Sequence, residues 1–268
     1  MDRVPFYGTV VACNDDPILR SVLRSAHRRT VTYGTRRSSD FRIILENPEL
    51  DQGNHRPVSR FRIDLRGLDM GEFSLHVPGT HNVLNATAAI AVGVGLEVSI
   101  EQVRAALANF RGVDRRFQIR GEVSGIAVID DYGHHPTEIK ATLAAARQCG
   151  YHRIHVIFQP HRYTRTHALA EEFSAAFEDA DTLSVLDIYA ASEQPIDGVN
   201  SQSLVSRIQQ AGKREAVYVP SFEDAVAAVT SIAQEGDMIL TLGAGSISQL
   251  GPMILERLGS MQTVGTRR

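Results

Sequence analysis

From Phe117 onward the chain alternates short apolar runs with longer amphipathic stretches, and this alternation limits the fold more than any other feature. The runs at 123–129, 154–158, 182–186, 216–219 and 238–242 have the length and continuous apolar character of buried strands. Helices are predicted to begin between them, near Pro136, Thr166, Ser201, Ser221 and Ile247. Strands separated by helices require right-handed parallel crossovers, so the fold class is α/β with a doubly wound sheet. Ligands of such sheets bind at the carboxyl edge of the strands. Two runs break there into ionisable residues: Val128-Ile-Asp-Asp-Tyr-Gly-His-His-Pro136 and Val156-Ile-Phe-Gln-Pro-His-Arg-Tyr-Thr-Arg165. Two carboxylates, three histidines and two arginines at one sheet edge suit an anionic substrate.

The first part of the chain follows another pattern. Residues 7–13 and 30–33 read as strands, and between them Asp15-Asp16-Pro17 caps a helix predicted to reach His27. Segments 41–46, 59–65 and 72–77 alternate apolar and polar residues with the period of half-exposed antiparallel strands, and 47–57 and 67–71 supply turns. Gly79-Thr80 begins one helix, and Ser99 caps a second that ends near Phe110. A boundary is expected at 111–114, giving regions 1–112 and 113–259, with 260–268 as a disordered tail. The first region opens on a strand with about one βα unit before its antiparallel strands, so an N-terminal portion is expected to be missing.

Composition excludes several classes. A net charge of −3 gives no footprint for nucleic acid, and the basic stretch 20–37 reads as a solvated face. No apolar run approaches the ~20 residues of a membrane span, and the first six residues lack a signal-peptide core. Cys13 and Cys149, far apart, suit buried free thiols in a reducing compartment, so a cytoplasmic location is expected.

Asn82 and Asn85 share one face of a helix's first turn, where amides suit an adenine edge; a capping residue beside an incidental polar one is the alternative. Arg115 and Arg116 sit at the boundary, where a guanidinium reaches a phosphate on domain closure or makes a linker salt bridge. His134 and His135 can exchange protons with an incoming amine or bind a carboxylate. A zinc reading of His134, His135 and His161 lacks usual ligand spacing and a nearby Cys, so no metal site is assigned. His161, Arg162 and Arg165 put positive charge at a helix N-terminus, which is unfavourable unless an anion binds there. Gly243-Ala-Gly245 invites a nicotinamide-dependent oxidoreductase reading, but Ser248 replaces the third glycine and the motif closes the domain instead of opening it.

Several stretches together resemble the Mur ligases, and within them the branch that adds alanine. They are Pro5-Phe-Tyr-Gly8, Gly79-Thr-His-Asn-Val-Leu-Asn-Ala86, Gly112-Val-Asp-Arg-Arg-Phe117, the two strand-end motifs, Asp187-Ile-Tyr-Ala-Ala191 and Leu242-Gly-Ala-Gly-Ser-Ile247. The resemblance, running from about Val4 to Leu258, implies the second half of a central ATPase domain followed by a Rossmann-like C-terminal domain. It implies ATP-dependent ligation of L-alanine to UDP-N-acetylmuramate through an acyl phosphate in peptidoglycan precursor synthesis. His81, Asn82, Asn85, Asp131 and Arg116 would meet ATP; Arg116, His134 and His135 would be catalytic. Tyr132, His134, His161, Arg162 and Arg165 would hold substrate. No Gly-x-x-x-x-Gly-Lys-Ser/Thr loop occurs in these residues, so the phosphate loop and Mg2+ ligands are expected from an N-terminal Mur ligase polypeptide. The chain alone is therefore expected to be inactive, or to serve as the binding half of a split ligase.

Overall fold

The computed structural model describes residues 3–46, 49–50, 57–212 and 215–265. These form two compact units, one up to Arg111 and one from Gly112 onward.

In the first unit β1 (Thr9–Cys13), α1 (Pro17–Leu23) and β2 (Arg29–Gly34) make a parallel βαβ turn. The helix stops at Leu23, four residues before the expected His27; Arg24 is its C-cap and no buried side chain anchors it. β3 (Phe41–Leu45) continues the sheet in parallel; β4 (Glu49–Leu50), β5 (Pro57–Leu65) and β6 (Leu68–Leu75) complete it with antiparallel pairs, in the order β1-β2-β3-β5-β4 with β6 on β5. β4 lies inside the expected 47–57 turn, and Asn47, Pro48 and 51–56 fall outside the described residues. α2 (Thr80–Gly95) and α3 (Ile100–Asn109) pack on this sheet. The core stacks Phe61 on Phe73 and closes over Ile63, Val83 and Ile90, all buried.

In the second unit the expected strand 123–129 is instead a hairpin. β7 (Gln118–Val123) turns at Ser124-Gly125 into β8 (Ile126–Asp131), antiparallel. Both turn residues have positive φ, 54° and 71°, the backbone twist that a two-residue hairpin loop requires. The rest follows the expected alternation: α4 (Pro136–Arg147), β9 (Ile154–Phe158), α5 (Tyr163–Ala168), α6 (Ala170–Ser174), β10 (Thr182–Val185), α7 (Ser201–Gln210), β11 (Ala216–Tyr218), α8 (Phe222–Ile232), β12 (Met238–Leu242) and α9 (Leu250–Gly265). The strand order is β11-β10-β9-β12-β8-β7, parallel except for β7 at its edge.

Alternation along the strands fills both faces of this sheet. Val156, Phe158 and Leu240 pack with Leu143 of α4, Phe173 of α6 and Ile208 of α7. Ile157 and Ile239 pack with Val229 of α8 and Ile254 of α9. Full burial of each such side chain is worth about 1.5–3 kcal/mol, and truncating Leu143 to Ala costs about 2–5. The expected disordered tail is corrected in part: α9 runs through Ser260 to Gly265, and 266–268 lie outside the described residues. A helix anchored by buried Ile254 and Leu258 propagates cheaply beyond its last core contact.

Candidate active site

In the second unit the strand order brings three carboxyl ends side by side, because Leu242 of β12 is in register with Asp131 of β8 and with Phe158 of β9. This is the sheet edge at which doubly wound folds bind ligands. The two neighbouring carboxylates at the end of β8 are both consumed structurally. Asp130, fully buried, accepts from Arg115 Nε at 3.2 Å and from Thr241 Oγ1 at 2.8 Å. Asp131, also buried, accepts the backbone N–H of Phe117 at 2.8 Å and of Gly133 at 2.7 Å, and the Thr142 hydroxyl at 3.2 Å. Burial pushes the Asp131 carboxyl up despite these bonds and the charge of Arg116.

The histidines that follow have distinct surroundings. His134 Nδ1 lies 3.0 Å from the Tyr132 carbonyl oxygen and 3.5 Å from Glu138 Oε2. Both partners are acceptors, so Nδ1 carries a proton, and in the neutral ring the lone pair is on Nε2. His135 caps α4, its Nδ1 accepting the Thr137 N–H at 3.3 Å. Glu138 closes the capping box by accepting the backbone N–H groups of His134 and His135 at 3.1 and 3.2 Å. Burial raises the Glu138 carboxyl, but those bonds and the charges of His134 and Arg116 hold it below the usual range.

After β9, the Arg165 guanidinium donates to His161 Nδ1 at 3.1 Å and to the His161 carbonyl at 3.2 Å. His161 therefore accepts at Nδ1 and carries its proton on Nε2, the opposite tautomer to His134, with ring centroids 5.7 Å apart. Burial, then the positive charges of Arg165, His134 and Arg162, holds His161 below the usual imidazole range, with Glu193 acting against them. Arg162 has φ 75° and an exposed side chain whose Nη1 is 3.7 Å from Glu193.

Tyr132 joins the cluster to the linker. Its ring meets His134 edge-on at 5.2 Å, and the Arg115 and Arg116 guanidinium groups lie over it at 5.0 and 5.4 Å. The two arginines differ in their surroundings. Arg115 turns inward to Asp130 and donates to the Gly243 carbonyl at 2.6 Å, while Arg116 is exposed. Tyr132, His134, His161, Arg162 and Arg165 thus gather at one sheet edge with Arg116 at its margin. His81, Asn82 and Asn85 belong to the other unit, on the first turns of α2, where Asn82 Nδ2 donates to the Pro78 carbonyl at 2.7 Å and Asn85 is exposed.

Three participants escape the sequence reading. Gln159 Oε1 accepts the Ile247 N–H at 3.1 Å and ties the Gly243–Gly245 turn to β9. A Cβ on Gly243 would sit 2.8 Å from the Gln159 carbonyl, so that turn is packed against protein. Glu193 caps the start of α5 by accepting the Thr164 N–H and hydroxyl at 3.0 and 2.7 Å, and Tyr189 stacks on His161. Arg115, Phe117, Arg162, Ala191 and Ser192 are five of the eight non-glycine residues with positive φ among those described. Strain of this kind persists where surrounding structure enforces it and is characteristic of functional sites. No group of three or more His, Cys, Asp or Glu among the described residues could hold a metal, and no helix among them is long and apolar enough to cross a membrane.

Sequence comparison gives this arrangement its class. Residues 115–245 match the family description "Mur ligase, glutamate ligase domain" and residues 1–93 match the Mur ligase middle domain; the chain belongs to the Mur ligase family. It is similar to the UDP-N-acetylmuramate–L-alanine ligase of Koribacter versatilis, 59% identical over 260 residues, 97% of this chain and 56% of that protein. The ligase of the same name from Solibacter usitatus is 55% identical over 258 residues, 96% of this chain and 53% of that protein. Among solved structures, the UDP-N-acetylmuramate-alanine ligase of Thermotoga maritima aligns with a TM-score of 0.71 at 30% identity, covering 94% of this chain and 52% of that one. The chain thus spans about half the length of the relatives it matches.

Proposed function

We propose that this chain carries the amino-acid side of an ATP-dependent ligase that joins L-alanine to UDP-N-acetylmuramate in peptidoglycan precursor synthesis. The observation that carries the reading is the contrast between His134 Nδ1, which faces acceptor oxygens, and His161 Nδ1, which faces the donating Arg165 guanidinium; in neutral rings this sets opposite tautomers. One ring offers a lone pair and the other a proton donor, which is what amide formation from an ammonium and an activated carboxylate requires. The names of the Koribacter and Solibacter relatives support the choice of substrates.

A carboxylate is a poor electrophile, so the γ-phosphoryl group of ATP converts it to an acyl phosphate. His134 Nε2 takes a proton from the alanine ammonium, freeing the nitrogen lone pair. That nitrogen forms the amide bond as the carbon–oxygen bond to phosphate breaks, and its second proton leaves with the departing phosphate. His161, Arg162 and Arg165 meet the alanine carboxylate and the negative charge that grows on the reacting carbonyl, and Tyr132 lines the pocket. Arg116 reaches the γ-phosphate, the Asn82 and Asn85 amides with His81 face adenine, and Asp131 lies towards the ribose. With both Asp131 oxygens already engaged by backbone N–H groups, its larger part is to pin the turn that presents His134. In this reading the phosphate loop and the Mg2+ ligands are supplied by a Mur ligase N-terminal polypeptide, in keeping with the lack of a Gly-x-x-x-x-Gly-Lys-Ser/Thr motif in these 268 residues.

The test is phosphate release that depends on both UDP-N-acetylmuramate and L-alanine. The chain is assayed alone and mixed with a Mur ligase N-terminal polypeptide that carries the phosphate loop. Release in the mixture alone supports the reading. Turnover by the chain alone, or no release from a folded mixture that binds ATP, overturns it.

A further inference from the structure

Tyr189 lies on the loop after β10, and its ring stacks on His161 with centroids 5.6 Å apart and planes 17° from parallel. The backbone fixes that stack from both sides. Tyr189 N–H donates to the Pro160 carbonyl at 2.8 Å, Arg162 N–H donates to the Tyr189 carbonyl at 2.9 Å, and His161 pairs with Tyr189 as a parallel bridge. The loops after β9 and β10 are thus zipped together where the imidazole must be held.

The space for the Tyr189 ring is left by a glycine. A Cβ on Gly245 would fall 2.7 Å from Tyr189 Cγ, 2.9 Å from Tyr189 Cβ and 2.6 Å from Gln159 Oε1. Gly245 has φ −91°, outside the left-handed region, and the near contacts show that the position demands room. The weak Gly-x-Gly signal in the sequence therefore has a local reason in the contact between Tyr189 and His161.

His161 needs this support because its two ring orientations are chemically different. In the observed one Nδ1 accepts from Arg165; a flipped ring would set a carbon there and lose the bond. Partly exposed rings flip on the picosecond to nanosecond scale unless packing prevents it. We propose that Tyr189, seated in the niche left by Gly245, is a positioning residue that locks the His161 ring so that Nε2–H is presented to the substrate's anionic group. What Nε2–H meets rests on the ligase reading; the lock itself does not.

The test reads the ring directly. Nitrogen-15 NMR of the histidine side chains is recorded on the 268-residue chain as wild type, Tyr189→Ala, Tyr189→Phe and Gly245→Ala. His161 is expected as a single Nε2–H tautomer in the wild type and in Tyr189→Phe, and as an averaged pair of tautomers in Tyr189→Ala. Gly245→Ala is expected to resemble Tyr189→Ala, and the double variant to add little to either single one, because both act on one contact. In the reconstituted ligase, kcat/KM for alanine should fall roughly 3- to 10-fold in Tyr189→Ala, the size of an aromatic stacking contribution, and recover in Tyr189→Phe. His161 signals unchanged in both Tyr189→Ala and Gly245→Ala overturn the proposal; should one variant not fold, the other supplies the same readout. Expected ring behaviour without ligation by the wild-type mixture would refute the ligase reading and leave the lock standing.

Discussion

Replacing Arg115 with Met should destabilise the second unit sharply. Among the described residues Arg115 is the ion-pair partner of Asp130, whose side chain is fully buried, and its guanidinium also donates to the Gly243 carbonyl. Breaking a buried ion pair from one side typically costs about 3–5 kcal/mol, because the remaining charge stays desolvated. Two features reduce the cost here: the Arg115 side chain is 23% exposed, and Thr241 still donates to Asp130. Loss of the bond to Gly243 adds about 1 kcal/mol, which brings the expected change to about 3 kcal/mol. With a urea dependence of about 2 kcal/mol per molar, the midpoint should move down by roughly 1.5 M. The chain has no Trp, so far-UV circular dichroism and tyrosine fluorescence are the natural probes. Adding Asp130→Leu to the same chain should recover part of the loss, since the uncompensated charge is then gone. A midpoint for Arg115→Met within about 0.3 M of wild type, a shift of about 0.6 kcal/mol, would refute the argument.

Three further outcomes follow from individual environments. Burial pushes the Cys149 thiol up to about 12, so iodoacetamide at pH 8 should leave Cys149 unmodified in the native chain and label it in urea, as read by peptide mass spectrometry. Gly243 has φ 150° and no room for a side chain, so Gly243→Ala should cost about 1–3 kcal/mol and lower the thermal midpoint by several degrees. His161 is held below its ordinary value; the unfolded chain thus binds its proton more readily. Its contribution to stability should be complete above about pH 6.5 and fade as pH falls through the folded value, a slope that His161→Gln should remove from a urea-denaturation series.

The sequence disclosed what local patterns encode. Strands buried on both faces, such as Ile154–Phe158 and Met238–Leu242, are continuous apolar runs and were readable as such. β7 was not, because Gln118-Ile-Arg-Gly-Glu-Val123 is largely polar and lies on an edge where burial leaves little mark. Nor does any local feature say that β12, last in the chain, inserts between β8 and β9; that order follows from packing across the whole sheet. The candidate site divides in the same way. His134, His161 and Arg165 stand in motifs that advertise chemistry. Which of two adjacent arginines turns inward depends on the backbone at Arg115, with φ 60°, and on a carboxylate 15 residues away. Gln159, Tyr189 and Glu193 act through contacts between loops distant in sequence, which no periodicity records.

The central proposal, that His134 handles the alanine proton while His135, also expected from the sequence to be catalytic, caps α4, is tested most directly by replacing each with Gln in the reconstituted ligase and measuring kcat/KM for alanine. His134→Gln should lose roughly 10²- to 10⁴-fold, the usual contribution of a general base. His135→Gln should lose less than about threefold, because that ring is occupied in capping α4. A large loss in His135→Gln with near-normal rates in His134→Gln would contradict the account.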